Sequence, residues 1–207
     1  MRKQIVRYFI QFVIIAVLYT LIMIVQSSTV GMTSGFFQIR VSEALTILPV
    51  FTPAAIPGLF AGRLASGYFM LGVSQKSFVY DIVFGGLATL TAAFGTYFIR
   101  KHKFLAPVPP IIINMIVTPL LFTYVYRFDD HSLISYIIAI FIGEFIACGV
   151  LGIALMLGLE DHRDKLFPTG ADVKADTTED TEETVAKTET DIAETANKDI
   201  TGEKTDV

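Results

Sequence analysis

Long apolar stretches separated by short polar ones dominate the first 160 or so residues of the chain. A helix that crosses a bilayer needs roughly 20 apolar residues, with a lower limit near 17. Four stretches meet this requirement, at about 8–26, 79–99, 106–126 and 134–158. A further stretch, about 42–73, is too long for one crossing and is interrupted by Pro49, Pro53 and Pro57. Proline fits the first turn of a helix and disfavours helix in the residue before it. The pattern therefore predicts two short helices, about 41–53 and 56–73, meeting near Pro53–Pro57. The expected fold is an all-α integral membrane protein, a six-helix transmembrane bundle over residues 1–168.

Beyond Pro168 the apolar pattern stops. Residues 169–207 are rich in Thr, Glu, Asp, Ala and Lys and contain no aromatic residue and no proline. Such a segment cannot bury enough apolar surface to offset the entropy of ordering it. A disordered, acidic, cytoplasmic tail is expected. The first outer loop, about 27–40 (SSTVGMTSGFFQIR), is long for a passive connection and is a candidate lid.

Composition supports the membrane reading. The chain is 53% hydrophobic and only 17% charged, too little charge for a soluble domain of 207 residues. The net charge of −4 hides an asymmetry. Residues 1–170 carry 12 Lys/Arg against 8 Asp/Glu, whereas residues 171–207 carry 4 Lys against 12 Asp/Glu. Positive residues collect in cytoplasmic loops. Six crossings with the N-terminus inside put Arg2, Lys3, Arg7, Arg100, Lys101, Lys103, Arg163 and Lys165 on that side. Lys76, Arg127 and Arg40 then lie toward the outside. Five crossings would separate the N-terminal basic residues from Arg163 and Lys165. The N-terminal apolar core of about 18 residues is longer than a usual signal-peptide core and no small-x-small cleavage site follows it. It reads as a retained first helix of a multi-pass bacterial plasma-membrane protein with both termini cytoplasmic. The single cysteine, Cys148, permits no disulfide within the chain.

An ionisable group at a bilayer centre costs roughly 2.5–3.5 kcal/mol on insertion scales, so each one needs a reason. At 1.5 Å per residue, Glu144 lies about 15 Å into the last helix, near the midplane, with Cys148 and Gly152 on the same face. It is a candidate acceptor for ligand N–H groups, or else a partner for Arg63 or a bundle hydrogen bond. Asn114 lies about 12 Å into the fifth helix, where an amide bonds across helices or contacts a ligand. Asp81 sits in a first helical turn, favoured by the helix dipole, and is also a candidate ligand contact. Arg63 reads as a member of a buried pair. Arg40 and Glu43, three residues apart, share a face if helix has begun there. They form either a solvated ion pair of little energetic weight or the outer wall of a cavity. Ala16 and Thr20 make a small-xxx-small pair that lets another helix approach closely.

Absences narrow the function. The chain has no G-x-x-x-x-G-K-[ST] phosphate loop, which argues against ATP hydrolysis by that route. His102, His131 and His162 all lie in loops or flanks, so neither a catalytic set nor a metal site is expected within the membrane core. No basic face with interleaved aromatics points to nucleic acid. Binding and transport remain.

The blocks QIRVSEALTILPVFTPAAIPGLFAG, YDIVFGGLATLTAA, APVPPIIINMIV and GEFIACGVLG resemble, in order and spacing, the QueT family over about residues 5–158. These are substrate-binding S components of energy-coupling factor (ECF) transporters. The resemblance implies a six-helix bundle that takes a queuosine precursor from outside, a 7-deazaguanine in its cyano or aminomethyl form or the base queuine. It also implies partners: a transmembrane coupling subunit and two ATPases, with ATP and Mg on the ATPases and no cofactor in this chain. Docking on the coupling subunit would use the small residues of helix 1, here Ala16 and Thr20. A 7-deazaguanine edge suits a carboxylate such as Glu144, Glu43 or Asp81 at N1–H and the 2-amino group, with Asn114 or Arg40 at O6. Phe36, Phe37 or Tyr80 would stack on the ring. The resemblance assigns no role to Arg63 or to the acidic tail. Two other readings stay open: a self-contained ion-coupled carrier of a nucleobase-like or vitamin-like molecule, and a non-transporting membrane adaptor.

Overall fold

Ile5, Phe9, Val13, Val17, Leu21 and Val25 repeat every four residues along helix α1 (Arg2–Thr29), and all six are exposed. The opposite face carries the buried Ile15 and Tyr19. An apolar stripe of this length facing outward has no place on a soluble monomer and suits a helix bordering lipid. The chain is seen in a computed structural model that describes residues 2–29, 39–71, 78–125, 127 and 132–167. Its fold is that of the unit Met1–Arg163. Residues 30–38 of the candidate lid, Phe36 and Phe37 among them, and the acidic tail lie outside the described residues.

After α1 come a 310-helix, Val41–Val50, and the α-helices α2 (Ala55–Leu71) and α3 (Phe78–Phe98). A short 310 turn, Lys103–Leu105, leads into α4 (Val108–Leu120), which widens into a π-helix over Leu121–Val125. The last rod is α5 (Leu133–Glu144), a π-helical stretch Phe145–Gly152, and α6 (Ile153–Glu160), followed by the turn α7 (Arg163–Leu166). No strand occurs among the described residues. Among the described residues, three helices are long and apolar enough to cross a membrane: Gln4–Ser28, Lys103–Val125 and Leu133–Glu160. Val41–Val50 and Ile82–Phe98 are apolar but shorter. The α-helices pack in sequence, α1 on α2, α2 on α3, α3 on α4 and α4 on α5.

The second helix differs from expectation in kind and in length. In place of an α-helix over about 41–53 there is a 310-helix that ends at Val50. The break falls at Phe51–Ala54, and Pro57 lies inside the first turn of α2, where its missing N–H costs nothing. Pro49 inside the 310-helix also lacks a donor, and Thr46 Oγ1 donates back to the Glu43 carbonyl at 2.6 Å. Both withdraw partners from a regular i→i−4 ladder. A 310-helix rises about 2.0 Å per residue, so these ten residues reach about 20 Å, further than an α-helix of equal length.

This helix is the centre of the bundle. Every residue from Ser42 to Pro49 is buried, and it touches α1, α2, α3, the Phe145–Gly152 stretch and α6. Its entry is held by Gln26 of α1, whose amide donates to the Ile39 carbonyl and accepts from Val41 N at 2.9 Å. Its exit is held by Thr52, whose hydroxyl donates to Gln11 Oε1 at 2.8 Å and accepts from Ala54 N at 3.3 Å.

The π-helical widening of α4 follows directly after Pro119. A proline there removes the bond to the Met115 carbonyl and crowds it, and a wider turn relieves both. At the other end of the bundle Lys103 pairs with Glu160, and Thr96 Oγ1 donates to the Ala106 carbonyl at 3.1 Å.

Candidate functional site

Four helical rods bring polar groups to one buried place. Glu43 and Thr46 come from the 310-helix, where a three-residue repeat puts them on one face. Tyr19 comes from α1, Asn114 from α4, and Glu144 and Cys148 from the last rod, four residues apart and so one above the other. All six are buried: Tyr19 is 0% exposed, Glu43 1%, and Glu144 and Asn114 3% each.

The bonds form a chain. Tyr19 Oη donates to Glu43 Oε1 at 3.0 Å. Cys148 Sγ lies 3.4 Å from the Glu43 carbonyl and 3.3 Å from Glu144 Oε2, bridging the two acidic residues. Asn114 Nδ2 donates to Glu144 Oε1 at 3.1 Å. Both Glu144 oxygens are thus occupied within the protein. Glu43 is different: its Oε2 is buried and has no hydrogen-bond partner. A buried acceptor left unmade costs about 1–3 kcal/mol, more when charged, so this oxygen is a standing invitation to a donor.

Positive charge lies close by. Arg40 and Glu43 both act electrostatically on Glu144, Arg40 attracting and Glu43 repelling. Arg40 and Arg63 both act on Tyr19. Arg40 is half-buried at the residue preceding the 310-helix, and its carbonyl accepts from Glu43 N at 2.8 Å. Arg63 of α2 is 1% exposed and lies against α3, where Gly85 makes room for it: a Cβ at Gly85 would come within 2.5 Å of Arg63 Nη2.

The structure sorts the expected site residues. Glu43, Glu144 and Asn114 meet in one cluster, with Arg40 at its edge. Glu144 bonds to Asn114 and Cys148, so its place in the cluster is set by these groups. Tyr80 is 54% exposed at the start of α3, and no hydrogen bond or ring contact joins it to the cluster among the described residues. The Asp81 side chain and all of Phe37 lie outside the described residues. Tyr19 and Thr46 are members that sequence reasoning missed. A tyrosine on the buried face of an apolar helix was the available signal, because a buried phenol seeks a partner.

Ala16 and Thr20 bring another helix close, as their small-xxx-small spacing implies, and that helix is α2 of the same chain. Thr20 is buried and its hydroxyl donates to the carbonyls of Ala16 at 2.7 Å and Gly62 at 3.2 Å. Gly62 is pressed onto α1: a Cβ there would lie 2.8 Å from the Ala16 carbonyl oxygen and 2.8 Å from Tyr19 Cβ. The small residues serve an internal seam, and its physical reason is this glycine contact.

The arrangement can hydrogen-bond a small polar ligand. No group of three or more His, Cys, Asp or Glu able to hold a metal occurs among the described residues. The cluster offers acceptors (Glu43 Oε2 first), an amide and nearby guanidinium charge. In comparisons with known proteins, the family model described as QueT transporter matches residues 9–161. No curated protein and no solved structure matches the chain.

Proposed function

The chain belongs to the QueT transporter family, and on that premise we propose that it is the membrane-embedded substrate-binding component of an ECF-type importer for a queuosine precursor. The ligand is a 7-deazaguanine, in the cyano or aminomethyl form or as queuine. The observation that carries the reading is Glu43 Oε2, a buried acceptor without a partner beside the Asn114–Glu144 pair. The N1–H and 2-amino donors of the base fit such an acceptor, and Asn114 or Arg40 supplies a donor for O6. ATP hydrolysis belongs to two partner ATPases, joined through a transmembrane coupling subunit. The six helical stretches each cross the membrane, with the N-terminus cytoplasmic and the site opening outward.

The binding claim is tested by titrating the purified full chain with the three bases in a calorimeter and by weighing any ligand that co-purifies. Saturable binding of one of them supports the reading. Binding of an unrelated vitamin in their place removes the substrate class. Uptake measured in cells with and without the coupling module separates an ECF component from a self-contained carrier, which would work alone.

A further inference from the structure

Tyr19 has no place among the groups expected to meet a ligand, yet it is the most completely buried member of the cluster. Its helix also approaches the 310-helix at Met23, whose Sδ lies 3.4 Å from Ser42 Oγ. The base of the Tyr19 side chain is closely packed, because Gly62 of α2 lies directly against its Cβ. Its hydroxyl donates to Glu43 Oε1. A carboxylate has two oxygens, and holding one determines where the other is aimed. The other, Oε2, is the oxygen left without a partner.

We infer that Tyr19 is a positioning residue that sets the ligand acceptor: by holding Glu43 Oε1 it fixes the carboxylate plane and presents Oε2 to the ligand. This rests on the reading of the cluster as the ligand site. Two consequences follow from the geometry. Glu43 meets the ligand with Oε2 wholly uncommitted and Oε1 already accepting one bond, so Oε2 is the stronger acceptor of the two. The acceptor is also tied to α1 through a rigid ring, so a ligand that pulls on Glu43 pulls on that helix.

The test is Tyr19→Phe in the full chain, which removes the hydroxyl and keeps the ring. Titration with 7-cyano-7-deazaguanine, 7-aminomethyl-7-deazaguanine and queuine is expected to give an affinity loss of roughly tenfold or more, the scale of one hydrogen bond to a charged group. The loss caused by Glu43→Gln should shrink in the Tyr19→Phe background, whereas the loss caused by Asn114→Ala should not. A general packing defect would not distinguish the two. Affinity within twofold of wild type, or independent losses for Tyr19→Phe and Glu43→Gln, overturns the inference.

An infrared difference spectrum gives a reading that needs no ligand. The band removed by Glu43→Gln identifies the Glu43 carboxyl group, and that band should shift in Tyr19→Phe. An unmoved band sinks the positioning role. A wild-type chain that binds none of the three bases while the band does shift removes the ligand reading and leaves the positioning of Glu43 standing.

Discussion

Asn114 and Glu144, 30 residues apart, meet in the bundle interior through an Nδ2–Oε1 hydrogen bond of 3.1 Å. This bond joins α4 to the last rod. An average interhelical hydrogen bond in a bilayer contributes only about 0.6 kcal/mol. Removing one partner of a buried carboxylate costs more, about 1–3 kcal/mol, because the other is left unpaired. Asn114→Ala should therefore lower the stability of the purified chain by an amount in that range, read as a fall in the thermal midpoint in detergent. An unchanged midpoint would mean that Glu144 finds another donor.

The two glutamates should separate by assay. Glu144 has both oxygens bonded within the protein, and Glu43 has one to spare. Glu43→Gln is expected to weaken ligand binding more than tenfold, since the amide turns either a donor or a neutral acceptor toward the ligand's N–H groups. Glu144→Gln should act first on stability and less on affinity. Calorimetric titrations alongside melting curves decide the order, and a reversed order would assign the ligand contact to Glu144.

Gly62 sits where α1 and α2 touch most closely. Any Cβ there meets the Ala16 backbone and Tyr19 Cβ at 2.8 Å, neither of which is the far end of a flexible chain. Gly62→Val should part the two helices and break the Thr20–Gly62 bond. Overpacking of this kind costs about 1–3 kcal/mol. The expected result is a lower melting temperature together with weaker ligand binding, because Tyr19 moves with the seam.

Gly85→Ala makes a different test. The added methyl meets the Arg63 guanidinium, which has to shift as a buried charge. Breaking the surroundings of a buried ion is among the costlier changes, about 3–5 kcal/mol when a partner is lost outright. Gly85→Ala should fall short of that figure yet exceed the effect of Gly95→Ala, where the added Cβ meets only the Pro109 ring. Paired denaturation midpoints would show it.

Gln26→Ala removes both bonds that hold the entry of the 310-helix, to the Ile39 carbonyl and the Val41 amide. Each net hydrogen bond is worth about 0.5–1.5 kcal/mol. Faster amide exchange at Val41 and the residues after it is the expected outcome, measured by mass spectrometry after deuterium labelling. Exchange equal to wild type would place the restraint elsewhere.

The membrane character of this chain could be read from residue order alone, for a simple reason. Lipid cannot satisfy backbone groups, so spans must be helical and apolar over a set length, and both demands are written locally. The stretches around 8–26, 106–126 and 134–158 announced themselves in this way, as did the proline break after the second helix. The buried polar residues Asn114 and Glu144 were equally legible, because each is costly in an apolar segment and so stands out. Glu43 read as an outer-rim residue, and its full burial came only with the structure.

What local pattern could not carry is who meets whom. That Val41–Val50 winds as a 310-helix depends on Pro49, on Thr46 bonding back to Glu43 and on burial against five neighbouring segments. That Ala16 and Thr20 serve an internal seam depends on Gly62, 42 residues from Thr20 in sequence. That Glu144 is occupied while Glu43 keeps a free oxygen depends on Asn114, Cys148 and Tyr19 arriving together from three other segments. Hydrophobic periodicity reports only which face of a helix is apolar, and in a bilayer both inward and outward faces are. Choosing the partners took steric fit between small residues and the pairing of buried polar atoms, and these exist only once the helices are assembled.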